Sequence, residues 1–142
     1  MDFSLIQSLM APPSLRGLKK VLCVQPHPDD NEIGMGGIIC SLVEQGTQVD
    51  YLTVTDGSLG DLGLVKGNLK EVREGEAKAS ASHLGVTETY FLGYEDGTLE
   101  NVVELAGRIA TVLREGQYDG IAAPDPWNTY EAHHDHVVTG LA

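Results

Sequence analysis

The chain has 142 residues, 42% hydrophobic and 21% charged, a size and balance that fit one globular domain with a core of its own. A net charge of −12, with 9 Lys and Arg scattered along the chain, excludes a nucleic-acid partner, which needs clustered basic residues. No run reaches the ~20 apolar residues of a membrane span, and Met1-Asp2-Phe3-Ser4 has neither the basic nor the apolar region of a signal peptide, so a cytoplasmic protein is expected.

Residues 3–10 are expected to form a short helix ended by Ala11-Pro12-Pro13. The continuous apolar run at 20–25 predicts a strand covered on both faces. A proline-stiffened turn follows, His27-Pro28-Asp29-Asp30, and then a helix from Gly34 to about Gln45. Its apolar side is Ile38, Ile39, Leu42 and Val43, and Gly46 stops it. The second strand is Val49–Val54, closed by Thr55-Asp56-Gly57. Ser58–Leu69, with Gly60, Gly63 and Gly67, reads as a mobile loop bordering a site. A second helix spans about Glu71 to His83, with Gly85 as its C-terminal cap. A third strand, Thr89–Leu92, leads into the turn Gly93–Gly97. The next helix, about Asn101 to Arg114, buries Val102, Leu105, Ile109, Val112 and Leu113. The fourth strand is Asp119–Ala123, and the loop 124–132 leads to His133-His134-Asp135-His136 at the start of a last helix.

The alternation predicts a Rossmann-like, three-layer α/β fold with a parallel sheet in strand order 3-2-1-4. The single domain would cover 1–142, and Val137–Ala142, inside a helix with no stop, reads as truncated at the C-terminus. Cys23 and Cys40 are in no CxxC pattern and are expected as buried free thiols.

In that order strands one and four are neighbours, so the turn at His27–Asp30 and the His133–His136 segment meet at one crevice. His27 and Asp30 can point to one ion, and His136 can reach it from the other side. Two imidazoles and one carboxylate leave a water position open, which is the pattern of a catalytic zinc site or of an iron(II) facial triad. Asp29 is the spare carboxylate beside the ligands, and His133 lies one helical turn before His136 on the same face.

These residues reach a known family. His27-Pro28-Asp29-Asp30 with Glu32-Ile33-Gly34-x-Gly36-Gly37, Arg73 with Leu84-Gly85-Val86, Leu92-Gly93-Tyr94-x-Asp96-Gly97, and His133-x-Asp135-His136 resemble the LmbE-like (PIG-L) zinc-dependent N-deacetylases. The motifs cover the chain from about residue 19 onward, and Asp125-Pro126-Trp127 followed by Tyr130-Glu131-Ala132-His133 is most similar to the diacetylchitobiose deacetylase branch. The resemblance implies His27, Asp30 and His136 as Zn2+ ligands, Asp29 as general base, His133 at the oxyanion and Asp135 as a partner that orients a histidine. It implies Arg73 and Asp96 at the substrate, an N-acetylglucosamine-type amino sugar or conjugate. A homo-oligomer is expected.

Two rivals remain from the sequence. Gly34-Met35-Gly36-Gly37 after a strand, with Asp56 about twenty residues on, suggests a dinucleotide-binding domain, although the spacing is not GxGxxG and the two carboxylates would repel a pyrophosphate. A non-catalytic, metal-stabilised sugar-binding or interaction module is the other.

Overall fold

The computed structural model describes residues 3–10, 14–61, 63 and 67–142. The elements run α1 (Phe3–Met10), β1 (Lys20–Gln25), α2 (Asp30–Glu44), β2 (Gln48–Thr55), α3 (Leu69–His83), β3 (Thr89–Tyr94), α4 (Val102–Gly116), β4 (Gly120–Ala122) and α5 (His134–Leu141). The expected helix stop at Ala11-Pro12-Pro13 lies outside the described residues, as do residues 62 and 64–66 of the expected mobile loop.

The four strands form one sheet in the order β3-β2-β1-β4, with every pairing parallel. Adjacent side chains on a strand point to opposite faces, so the apolar runs of β1 and β2 feed two cores. Leu22, Val24, Leu52 and Val54 pack with Leu105 and Ile109 of α4 and Val138 of α5. Val21, Cys23, Val49 and Tyr51 pack on the other face with Ile39 and Leu42 of α2 and Ala81 of α3. Each fully buried Leu or Ile contributes about 1.5–3 kcal/mol of transfer free energy, which makes these two layers the main source of stability. The fold is thus the expected three-layer α/β arrangement with order 3-2-1-4.

Several boundaries differ from the sequence reading, each for a local reason. α2 starts at Asp30, four residues before the expected Gly34, because Pro28-Asp29 already turns the chain and the backbone carbonyl of Asp29 accepts from Ile33 N–H at 3.1 Å. The glycines interrupt the helix only at Met35 (φ −144°, ψ 17°). Ile38, expected on the buried side, is 49% exposed, while Ile39 and Leu42 are buried; the kink rotates the apolar stripe. β3 runs two residues past Leu92, to Tyr94, through a bulge opposite Thr53–Thr55. α4 runs two residues past the expected Arg114, to Gly116, and is capped by Gln117 in the left-handed region (φ 54°). Cys23 and Cys40 are free thiols; Cys23 is fully buried and Cys40 only partly so, and burial, aided by the Asp50 charge, pushes the Cys23 thiol up to about 12. Among the described residues no helix is long and apolar enough to cross a membrane.

Buried polar side chains fix the turn after β1. Gln25 Nε2 donates to Thr53 Oγ1 at 2.9 Å, and Gln25 Oε1 accepts from Asn31 N–H at 2.9 Å. Asn31 Nδ2 donates to the Cys23 carbonyl at 3.3 Å. Both the N–H and the hydroxyl of Thr55 donate to the Pro26 carbonyl at 2.8 Å. The His27–Asp30 segment is therefore clamped to β1 and β2 before any ligand is considered. Gly57 has φ +65°, and a Cβ there would lie 2.8 Å from Pro28 Cδ, so this position needs glycine for the chain to pass over the turn.

Candidate metal centre

β1 delivers His27 at its carboxyl end, the first turn of α2 delivers Asp30, and the first turn of α5 delivers His136. Because β1 and β4 are neighbours, α5 begins beside the start of α2. His27 Nδ1 lies 3.3 Å from His136 Nε2 and 3.2 Å from Asp30 Oδ2, and His136 Nε2 lies 3.3 Å from Asp30 Oδ1. Asp30 Oδ2 also accepts the His27 backbone N–H at 2.8 Å, which sets the carboxylate's orientation.

These spacings test the fit to a metal. A tetrahedral ion with ligand bonds of about 2.0–2.1 Å has ligand–ligand edges of about 3.3 Å; the two ring nitrogens stand at that separation, and each faces a different oxygen of Asp30 at 3.2 and 3.3 Å. The cluster draws positive charge without an ion as well. Burial works to lower the His27 pKa, but the Asp30 hydrogen bond and the charges of Asp30, Asp96 and Asp135 outweigh it, and the net shift is upward. Burial works to raise the Asp30 pKa, and the hydrogen bonds from His27 with the charges of His136 and His27 bring it below the ordinary carboxylate range.

Two other donor sets share His27. His27, His133 and His136 form one, and the buried His27, Asp96 and Asp135 form the other. In the second set the carboxylates are already engaged. Asp135, 0% exposed, accepts Gly97 N–H at 2.8 Å and Leu99 N–H at 3.3 Å. Asp96, 5% exposed, accepts Leu59 N–H at 3.0 Å. Both approach the far side of His27, with Asp96 Oδ1 and Asp135 Oδ2 at 3.1 and 3.3 Å from Nε2, but without the angle of a hydrogen bond. They lie behind the imidazole, so Nδ1 is the nitrogen left for the cleft. Asp135 also ties α5 to the segment after β3, which holds His136 in place.

The cleft itself holds about 400 Å³ and is walled by Asp29, Arg73, Gly57, Leu59, His133 and His136 among others. Asp29 is the N-cap of α2 by position, but its side chain makes no cap hydrogen bond; its Oδ2 instead lies 2.9 Å from Arg73 Nη2. The carboxylate is half exposed. Arg73, from α3, lies under the 57–60 loop, where a Cβ at Gly60 would stand 3.1 Å from Nη1. The start of that loop, expected as mobile, is tied down through Leu59 N–H to Asp96. The His133 ring is exposed and stands 4.4 Å from the His27 ring and 5.1 Å from the His136 ring.

Of the eight residues singled out in the sequence, Asp135 is buried behind His27 and the other seven line this crevice. Arg73 faces it over Asp29, and Asp96, expected at the substrate, forms part of the wall with its carboxylate turned toward His27 and Leu59. The sequence assigns no role to Gln25 and Asn31, which brace the turn, nor to Glu131, which enters only within the Tyr130–His133 motif and whose Oε2 lies 2.9 Å from His136 Nδ1. That motif, in the loop entering the His133–His136 segment, is the signal that pointed to the last. The glycine run Gly34–Gly37 lies inside α2 and not in the turn between strand and helix, so it offers no phosphate-binding loop of the dinucleotide type.

The model of the family described as PIG-L, GlcNAc-PI de-N-acetylase, matches residues 22–142. Diacetylchitobiose deacetylase of Thermococcus kodakarensis is 44% identical over 126 residues, covering 87% of this chain and 47% of the relative. A probable N-acetyl-alpha-D-glucosaminyl L-malate deacetylase 2 of Bacillus anthracis is 29% identical over 138 residues, covering 90% of this chain and 59% of the relative. The structure of N,N'-diacetylchitobiose deacetylase from Pyrococcus horikoshii with its inhibitor MPG superimposes with a TM-score of 0.85 and 39% identity, over 99% of this chain and 56% of that one. The chain thus spans about half the length of these proteins.

Proposed function

Because the chain belongs to the PIG-L, GlcNAc-PI de-N-acetylase family, we propose that it carries the catalytic centre of a zinc-dependent deacetylase that removes the acetyl group from an N-acetylglucosamine-type sugar or conjugate. The observation that carries this reading is the convergence of His27 Nδ1 and His136 Nε2, 3.3 Å apart, on the Asp30 carboxylate, at the mouth of a cleft walled by Asp29, Arg73 and His133. The names of the relatives support the substrate class.

His27, Asp30 and His136 would hold the ion. When bound, a divalent ion there supplies Lewis acidity to the attacking water and to the amide carbonyl. Zinc suits two imidazoles and a carboxylate, and iron(II) is the alternative for the same donors. Asp29, half exposed at the cleft and free of a capping role, takes the proton of the attacking water and returns it to the departing amine. Arg73 holds the Asp29 carboxylate in place and offers its remaining guanidinium donors to the sugar. His133 donates its ring N–H toward the developing oxyanion. Asp135 and Asp96 stay behind His27, where their charges favour its protonated ring, and Asp96 also shapes the 57–60 loop.

The test is acetate release from N-acetylglucosamine, diacetylchitobiose and N-acetylglucosaminyl conjugates, with and without a chelator. Metal-dependent release supports the reading. Metal bound tightly with no acetate released from any of them would favour the metal-stabilised binding module.

A further inference from the structure

Glu131 has no part in the scheme above, yet both of its carboxylate oxygens are committed. Oε1 accepts the His133 backbone N–H at 2.8 Å, and Oε2 faces His136 Nδ1 at 2.9 Å. The loop is built to deliver it. Asp125 Oδ1 accepts Trp127 N–H at 2.9 Å, the Asp125 carbonyl accepts Asn128 N–H at 3.3 Å, and the Asn128 carbonyl accepts Glu131 N–H at 3.0 Å. Two successive turns thus lead from the end of β4 to the cleft.

We propose that Glu131 is the positioning residue that sets His133 and His136 at once. An imidazole that gives its Nδ1–H to a carboxylate keeps its lone pair on Nε2, and Nε2 is the atom of His136 that faces Asp30 and His27. The same carboxylate pins the backbone of His133, the N-cap of α5, and so fixes where its ring enters the cleft. Only a carboxylate accepts on both oxygens; an amide of the same shape has one acceptor and must abandon one of the two donors. The proposal rests on the metal reading given above.

The test measures the Zn2+ dissociation constant by chelator competition, together with the rise in Tm that Zn2+ produces, for the wild type, Glu131→Gln and Glu131→Ala. Glu131→Ala is expected to weaken Zn2+ about 10–100-fold, as removal of an outer partner of a metal-bound histidine does. Glu131→Gln, which keeps size and one acceptor, is expected to fall between, and it carries the test if the alanine variant does not fold. The metal-induced rise in Tm shrinks in the same order, because it follows the affinity. A purely structural role would lower Tm with and without metal and leave the affinity alone. Wild-type Zn2+ affinity in both variants overturns the proposal. Failure of the wild-type chain to bind Zn2+ at all overturns the metal reading itself, and the proposal with it.

Discussion

His27 Nδ1 and His136 Nε2 face each other at 3.3 Å although 109 positions separate them in sequence. Parallel pairing of β1 with β4 brings the two segments together, and the buried Asp135 fastens α5 to the backbone after β3. The site is thus a property of the sheet order and not of either motif alone.

Asp29→Asn should separate binding from turnover. Its side chain makes no cap hydrogen bond, so the variant is expected to fold and to bind metal as the wild type does. Loss of a general base lowers the rate by about 10²–10⁴-fold. Parallel measurements of metal content and acetate release check this; full activity would remove Asp29 from the role.

Metal affinity should rise with pH. In the metal-free chain the His27 pKa is raised, chiefly by Asp30 against the opposing effect of burial. A charged His27 therefore stabilises the fold fully below the ordinary histidine value, and that contribution fades as pH rises through the folded value. Asp30, with a lowered pKa, contributes above the ordinary carboxylate range and loses its contribution as pH falls through its folded value. A metal must displace the His27 proton, so chelator competition at about pH 6 should give weaker binding than at about pH 8. Equal affinities would contradict ligation by His27.

Asp135→Ala should cost stability even without metal. The carboxylate is fully buried and accepts from Gly97 and Leu99, and its loss leaves the buried Leu99 N–H and the part-buried Gly97 N–H without an acceptor. A loss of about 1–3 kcal/mol is expected, read from denaturant unfolding of the metal-free chain. Asp135→Asn, which retains one acceptor, should lose less.

Tyr51→Phe should do the opposite. The hydroxyl is buried and has no hydrogen-bond partner among the described residues, while the ring packs with Ile39 and Leu42. Removing an unpaired buried hydroxyl is expected to add about 1 kcal/mol and to raise Tm by a few degrees in a thermal melt.

The sheet was legible because β1 is a continuous apolar run, β2 is rich in β-branched and apolar residues, and the helices carry clear periodicity and glycine stops. Strand order followed from short right-handed connections, and with it the meeting of His27 with His136. Less legible was anything set by tertiary geometry. The kink at Met35, which exposes Ile38, has no signature beyond a glycine run that suggested a phosphate loop as readily. Gln25 and Asn31 look like ordinary polar residues until the sheet is folded around them. Glu131 sits in an irregular loop, where no period fixes the direction of a side chain. Asp96 reads as a turn residue in the sequence, and only the folded chain shows its carboxylate beside His27 and the Leu59 N–H.

The most direct measurement of the central claim is anomalous scattering from crystals grown with Zn2+. One peak about 2.0–2.2 Å from His27 Nδ1, His136 Nε2 and Asp30 is the expected result. A peak on the other side of the ring, held by His27 Nε2, Asp96 and Asp135, or no peak at either place, would contradict it.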